Sequence, residues 1–170
     1  MPDDLTIDSL RSAIRQTDDR SEVEEARLFE LHARRFEQAV ARLVRQIRQV
    51  VEQVPELATS LEDEIEVFTS PGFPGRSIEI HDQRLRITHD EDFLLFDPTA
   101  RALLSAMGQV EIVTSRPVPF MVEKILYLIP DDAGTGARWG YRSVTALGGP
   151  PVPFGRQDLL RLLHSVFAAN

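Results

Sequence analysis

The sequence predicts an α+β protein: a long N-terminal helix with a heptad pattern, then a mostly antiparallel β-sheet module with two helices. Three observations lead there. Ala26, Phe29, Ala33, Phe36, Val40, Leu43, Ile47, Val50, Val54, Leu57 and Leu61 recur with alternating steps of three and four. Ser70-Pro71-Gly72-Phe73-Pro74-Gly75 then forms a turn-rich break. Beyond it the apolar period falls to two, as at Ile78 and Ile80 and again at Leu85 and Ile87.

The elements follow in order. Leu5, Leu10, Ala13 and Ile14 give residues 5–17 a weak apolar face, which Thr17-Asp18-Asp19-Arg20 breaks. Ser21 and Glu24 make a capping box, so the long helix is expected to start near Glu22. Pro55 lacks an N–H, so the helix kinks there or a second short helix opens. Residues 1–20 thus read as an N-terminal segment, 21–69 as a helical arm and 76–170 as the α+β module.

Within the module, His81-Asp82-Gln83-Arg84 reads as the turn of a hairpin. Phe93-Leu94-Leu95-Phe96 is a short strand, and Asp97-Pro98 reads as the cap and first residue of a helix carrying Ala100, Leu103, Leu104 and Met107. Val110–Thr114 and Arg138–Ala146 are further strands, and Ile125–Ile129 reads as another, although its length also permits a helix. Leu159, Leu160, Leu163, Val166 and Phe167 make a closing amphipathic helix. Pro-Val-Pro-Phe occurs at 117–120 and again at 151–154, two stiff connectors that each deliver an aromatic ring to the core.

Composition narrows the function classes. Over 170 residues, 42% hydrophobic and 27% charged content are ordinary for a folded domain. No cysteine is present, which excludes disulfides and thiolate chemistry. A net charge of -8 argues against a general nucleic-acid binder. No apolar run approaches the roughly 20 residues that cross a bilayer, and the acidic N-terminus lacks the form of a signal peptide. The expectation is a cytoplasmic protein without membrane or nucleic-acid partners.

The heptad seam suggests assembly. A helix from Glu22 to Val54 is about 50 Å long. A module of residues 76–170 has a radius of gyration of about 12 Å, so the helix overhangs it. Phe29, Phe36, Val40, Leu43, Ile47, Val50 and Val54 are therefore the expected homodimer interface. Val44, Val51 and Ala58 widen the stripe, which also suits a helix lying on its own sheet.

The chemistry-bearing residues are few. His81, His89, Asp90 and Asp92 are the candidate ligand-binding group, with residue types that suit acid–base work or a cation. Their spacing matches no metal motif, and no metal, cofactor or catalytic residue is assigned. Gly134-Thr135-Gly136 resembles a phosphate-binding loop only in its glycines, since a strand rather than a helix is expected after it. Arg34, Arg35, Arg42, Arg45 and Arg48 form a basic strip on the helix. The first four, with Phe73, Trp139 and Tyr141, are the candidate contacts for a protein partner.

Two readings result. The first is a non-enzymatic assembly or adaptor protein, self-associating through the long helix and binding a protein partner with the β module. The second is a small-ligand binder or enzyme with a His/Asp pocket in that module.

Overall fold

A computed structural model describes residues 6–102, 106–131 and 136–168. One helix, α1 (Ile7–Val51), precedes seven strands: β1 (Ala58–Phe68), β2 (Ile78–His89), β3 (Asp92–Thr99), β4 (Gly108–Thr114), β5 (Ile125–Pro130), β6 (Ala137–Tyr141) and β7 (Val152–Pro153). A 3₁₀ turn at Val144–Ala146 lies between β6 and β7, and α2 (Arg156–Leu163) ends in a π-helical turn at His164–Ala168. The strands form one antiparallel sheet in chain order, β1 to β7. The α+β expectation therefore holds.

Helix α1 starts earlier than the sequence suggests. Thr6 caps it: its side chain accepts from the Ser9 N–H at 3.1 Å, and Ser9 Oγ accepts from the Thr6 N–H at 3.0 Å. Ser21 and Glu24 lie inside the helix. The polar run at 17–20 does not break it, and Thr17 Oγ1 donates to the Ala13 carbonyl at 2.9 Å. Leu5 lies outside the described residues. At the other end the helix stops at Val51, ahead of Pro55, and the chain turns directly into β1. Leu57 and Leu61 therefore continue the heptad spacing by coincidence, Leu61 being a strand residue. The Ser70–Gly75 turn joins two paired strands of the same sheet.

The seam of α1 packs on that sheet. Phe29, Ala33, Phe36, Ala39, Val40, Leu43, Val44, Ile47, Val50 and Val51 are buried in one core with Phe68, Leu85, Phe96, Ile112, Leu126 and Leu128. Each Phe, Val, Leu or Ile side chain among them contributes about 1.5–3 kcal/mol relative to exposure. Phe36 sits deepest, between Phe68 at 5.9 Å and Trp139 at 6.4 Å between ring centroids. It lies over Gly108, where a Cβ would come within 2.2 Å of Phe36 Cδ2. Only a glycine lets the helix come this close.

Two further elements differ from expectation. His81–Arg84 is no turn: β2 runs straight through it, paired with β1 from Thr88 opposite Ala58 to Ile78 opposite Phe68. The true turn is Asp90-Glu91, with Asp90 at φ 49 in the left-handed region that aspartate tolerates. Asp97 and Pro98 belong to β3 and open no helix. There Asp97 Oδ1 accepts from Arg84 Nε at 2.8 Å. Leu103 and Leu104 lie outside the described residues.

Strand β2 also changes its buried face. Ile80 and Asp82 are buried, then Leu85 and Ile87, which breaks the alternation. The register with β1 carries no bulge, so twist of the ribbon makes the change. The ribbon is free to twist there because β3 pairs with β2 only over Leu85–His89. The two echoed phenylalanines both reach Tyr141, edge-on, at 5.6 Å for Phe120 and 6.1 Å for Phe154.

Candidate functional site

The docked half of α1 has a hollow along each flank, and its other half projects from the body. The first hollow lies between α1 and the β6, β7 and α2 end of the sheet. Its floor is Leu43, Ile47, Val50, Leu128, Trp139, Phe154 and Leu159, enclosing about 610 Å³. That is a typical size for a small-ligand pocket. Arg42, Arg138 and Arg156 stand on its rim, and among the described residues no carboxylate lines it. Among the described residues none of these three makes an ion pair with a carboxylate; Arg156 Nη2 donates to Gln53 Oε1 at 3.4 Å.

Local chemistry fixes this groove. Trp139 Nε1 donates to the Ala39 carbonyl at 3.3 Å, which holds the indole against the helix. Asp158, beside the start of α2, is already committed. Its Oδ2 accepts from the Gly155 N–H at 2.9 Å and its Oδ1 from the Tyr141 hydroxyl at 2.8 Å. Burial and that bond to Asp158 both push the Tyr141 pKa up.

The second hollow lies on the opposite flank, between α1 and the β1–β2 ribbon. Glu37, Val40, Val44, Arg45, Arg48, Leu61, Asp63, His81 and Asp82 line it. Glu37 ties helix to strand: Oε1 accepts from the His81 N–H and Oε2 from Arg34 Nη1, each at 2.9 Å. Burial acts to raise the Glu37 pKa, but these bonds outweigh it and hold the carboxyl below its usual range. Asp82 beside it is only 2% exposed, and neither of its oxygens has a hydrogen-bond partner. It stands directly opposite Glu64 in the sheet. Burial first, then Glu66, Glu37, Glu64 and Asp97, push its pKa up to about 7. The nearby Arg84 is engaged with Asp97, Glu64 and Glu62.

The projecting part of α1 is the third feature. Every residue from Thr6 to Glu25 is exposed, and Phe29 is the first to be buried. Residues 7–28 therefore extend about 33 Å at 1.5 Å per residue. Ile7, Leu10, Ile14, Leu28 and Leu31 are exposed along it. Arg76 steadies its base, with Nη2 at 3.2 Å from Glu25 Oε2 and donating to the Glu22 carbonyl at 3.3 Å.

Of the four candidate ligand residues, His89, Asp90 and Asp92 lie together at the β2–β3 turn, and His81 lies apart from them. His81 faces the second hollow, exposed at its rim. His89 lies at the far end of β2, its Nδ1 3.0 Å from the Glu56 carbonyl oxygen and its Nε2 3.5 Å from Asp90. Asp92 accepts from Ser115 Oγ and Arg116 Nε, both at 2.9 Å, and the bond to Arg116 holds its carboxyl below the usual range. Among the described residues no three His, Asp or Glu side chains are grouped to hold a metal ion. Gly134 and Thr135 lie outside the described residues.

The partner candidates divide. Arg42 and Trp139 come together in the first groove. Arg45 and Arg48 turn to the other flank, and Arg34 is paired with Glu37. The basic strip is thus split, and Arg35 takes part in neither hollow. Tyr141 is buried, and Phe73 packs against Phe29 and His32, a contact that goes with a His32 pKa lowered by burial and by Arg35. Of the expected interface, Phe29, Phe36, Val40, Leu43, Ile47 and Val50 are covered by this chain's own sheet. Val54 stays partly exposed beyond the helix end. Arg138, Arg156 and Phe154 complete the groove although no sequence pattern joins them to Arg42; strand order alone does so.

Comparison with protein-family models, with curated proteins and with solved structures finds no match.

Proposed function

We propose that this is a non-enzymatic assembly protein in which two copies join through the projecting half of α1. The observation that carries this reading is the bare helix itself. Most of a helix's stability in a protein comes from packing its apolar face rather than from propensity. Here residues 7–21 are exposed along their whole length, yet Ile7, Leu10 and Ile14 recur at heptad spacing. The spacing continues in phase to Leu28 and Leu31.

Antiparallel pairing suits these residues. With Ile7 facing Leu31 of the second copy, Leu10 faces Leu28, Ile14 faces Glu24, and Arg11 comes beside Glu25. A parallel register would set Glu24 against its own counterpart in the seam, a like-charge contact. The seam expected at 26–61 thus gives way to one at 7–31, because the former lies on the sheet.

Light scattering on a sizing column across a concentration series tests this. The expected mass is twice the 19.2 kDa chain. Leu10→Glu with Ile14→Glu is expected to return the mass to one chain while the cooperative melt of the sheet and docked helix stays in place. A wild-type protein that stays monomeric at high concentration would end the proposal.

A further inference from the structure

We propose that the groove between α1 and the β6–β7–α2 end of the sheet binds a small amphipathic anion, one carboxylate or phosphate carried on an apolar body. This goes beyond assembly and does not depend on it. The charge distribution is the first argument. The chain carries a net charge of -8, yet Arg42, Arg138 and Arg156 ring this groove, and among the described residues no acidic side chain lines it. Guanidinium groups without carboxylate partners are well suited to a carboxylate or phosphate, which they can grip through two parallel N–H bonds.

The floor is the second argument. Leu43, Ile47, Leu128, Trp139, Phe154 and Leu159 present an apolar bed to whatever the arginines hold. Apolar walls with a few placed polar groups are the common make-up of small-ligand sites. Trp139 offers a flat face whose polar edge is already satisfied by the Ala39 carbonyl.

The third argument separates a small ligand from a peptide strand. The sheet edge beside the groove is β7, only Val152 and Pro153, with Pro151 before it. Proline offers no N–H to an added strand, and two residues give no ladder to extend. An acidic peptide therefore lacks the backbone pairing by which extended segments add to a sheet.

Trp139 is the one tryptophan in the chain, so its emission reports on this groove alone. The test titrates full-length protein with dodecanoate below its micellar range, following Trp139 emission, with equilibrium dialysis as an independent count of bound ligand. Saturable binding near one equivalent per chain is expected. Arg138→Glu with Arg156→Glu should weaken it about tenfold or more while the melting curve stays in place. Leu10→Glu with Ile14→Glu should bind as the wild type does, which keeps this test separate from assembly. Dodecanol binding as tightly as dodecanoate would overturn the proposal, since the arginines would then contribute nothing. Absence of binding in dialysis, or a hexaglutamate peptide binding more tightly than dodecanoate, would overturn it equally.

Discussion

The two halves of α1 are one continuous helix with opposite fates. From Phe29 to Val51 its apolar stripe is buried in the core it shares with the sheet. From Ile7 to Leu28 it touches almost nothing but Arg76. Both halves carry apolar residues at steps of three and four. The difference is density: the docked half presents a wide stripe including Ala39, Val44 and Val51, and the projecting half a thin one interrupted by Thr17, Ser21 and Glu24. A wide stripe covers a sheet, whereas a narrow seam suits another helix. Heptad spacing is thus common to both halves, and the width of the stripe is what sets the docked half apart.

The largest expected effect tests the docked half. Val40→Asp with Ile47→Asp places two carboxylates in the core, where both positions are 1% exposed. The cost is about 5 kcal/mol or more, comparable with the whole stability of a domain. Loss of the cooperative melt by circular dichroism is expected. A folded double variant of altered mass would mean that this half faces another chain, and the contrast between the halves would collapse.

Next in size is a pH dependence beneath the same half. The Asp82 carboxyl has its pKa raised to about 7 in the fold, against 3.8 as the ordinary value. The native state therefore holds this proton more tightly than the unfolded chain does. Its stabilising contribution is fully present below pH 3.8 and is lost as pH rises through 7, a change of up to about 4 kcal/mol. Asp82→Asn should remove that component, leaving the variant more stable than wild type at pH 8 but not at pH 4. Urea unfolding at the two pH values measures it. Glu37 has the opposite sign, its lowered pKa giving stability that is lost as pH falls, so the wild-type-minus-variant difference is the quantity to read. An equal gain at both pH values would show that Asp82 stays ionised throughout.

The smallest effect sharpens the boundary between the halves. Arg76→Ala removes the one clasp on the base of the arm, a partly exposed contact worth about 0.2–1 kcal/mol. The melting temperature should hardly move, while amide exchange quickens over residues 21–28. Unchanged exchange there would place the boundary of the docked half at Phe29 without help from Arg76.

The legible part of the site was local. Arg42 and Trp139 stand out by residue type, but their meeting depends on β6 lying under α1. Nothing in the spacing of Arg138 and Arg156 announces a shared rim. His81 clusters with His89, Asp90 and Asp92 in sequence but separates from them in space because β2 is extended through His81–Arg84, while His89, Asp90 and Asp92 stay together at the β2–β3 turn. At about 3.3 Å per residue, eight residues of strand carry two histidines some 26 Å apart. A turn at 81–84 was the wrong reading because its polar run resembles loop composition, whereas here twist and burial against α1 accommodate it.

By itself the sequence determined the fold class, the α1 stripe, most strand positions and the closing helix. Each of these follows from periodicity, which is a property of neighbours along the chain. Only the tertiary structure decided that the stripe lies on its own sheet, that Asp82 is buried among carboxylates, and that three distant arginines ring one groove. Those outcomes depend on strand order, ribbon twist and the close approach that Gly108 gives Phe36, none of which leaves a periodic trace.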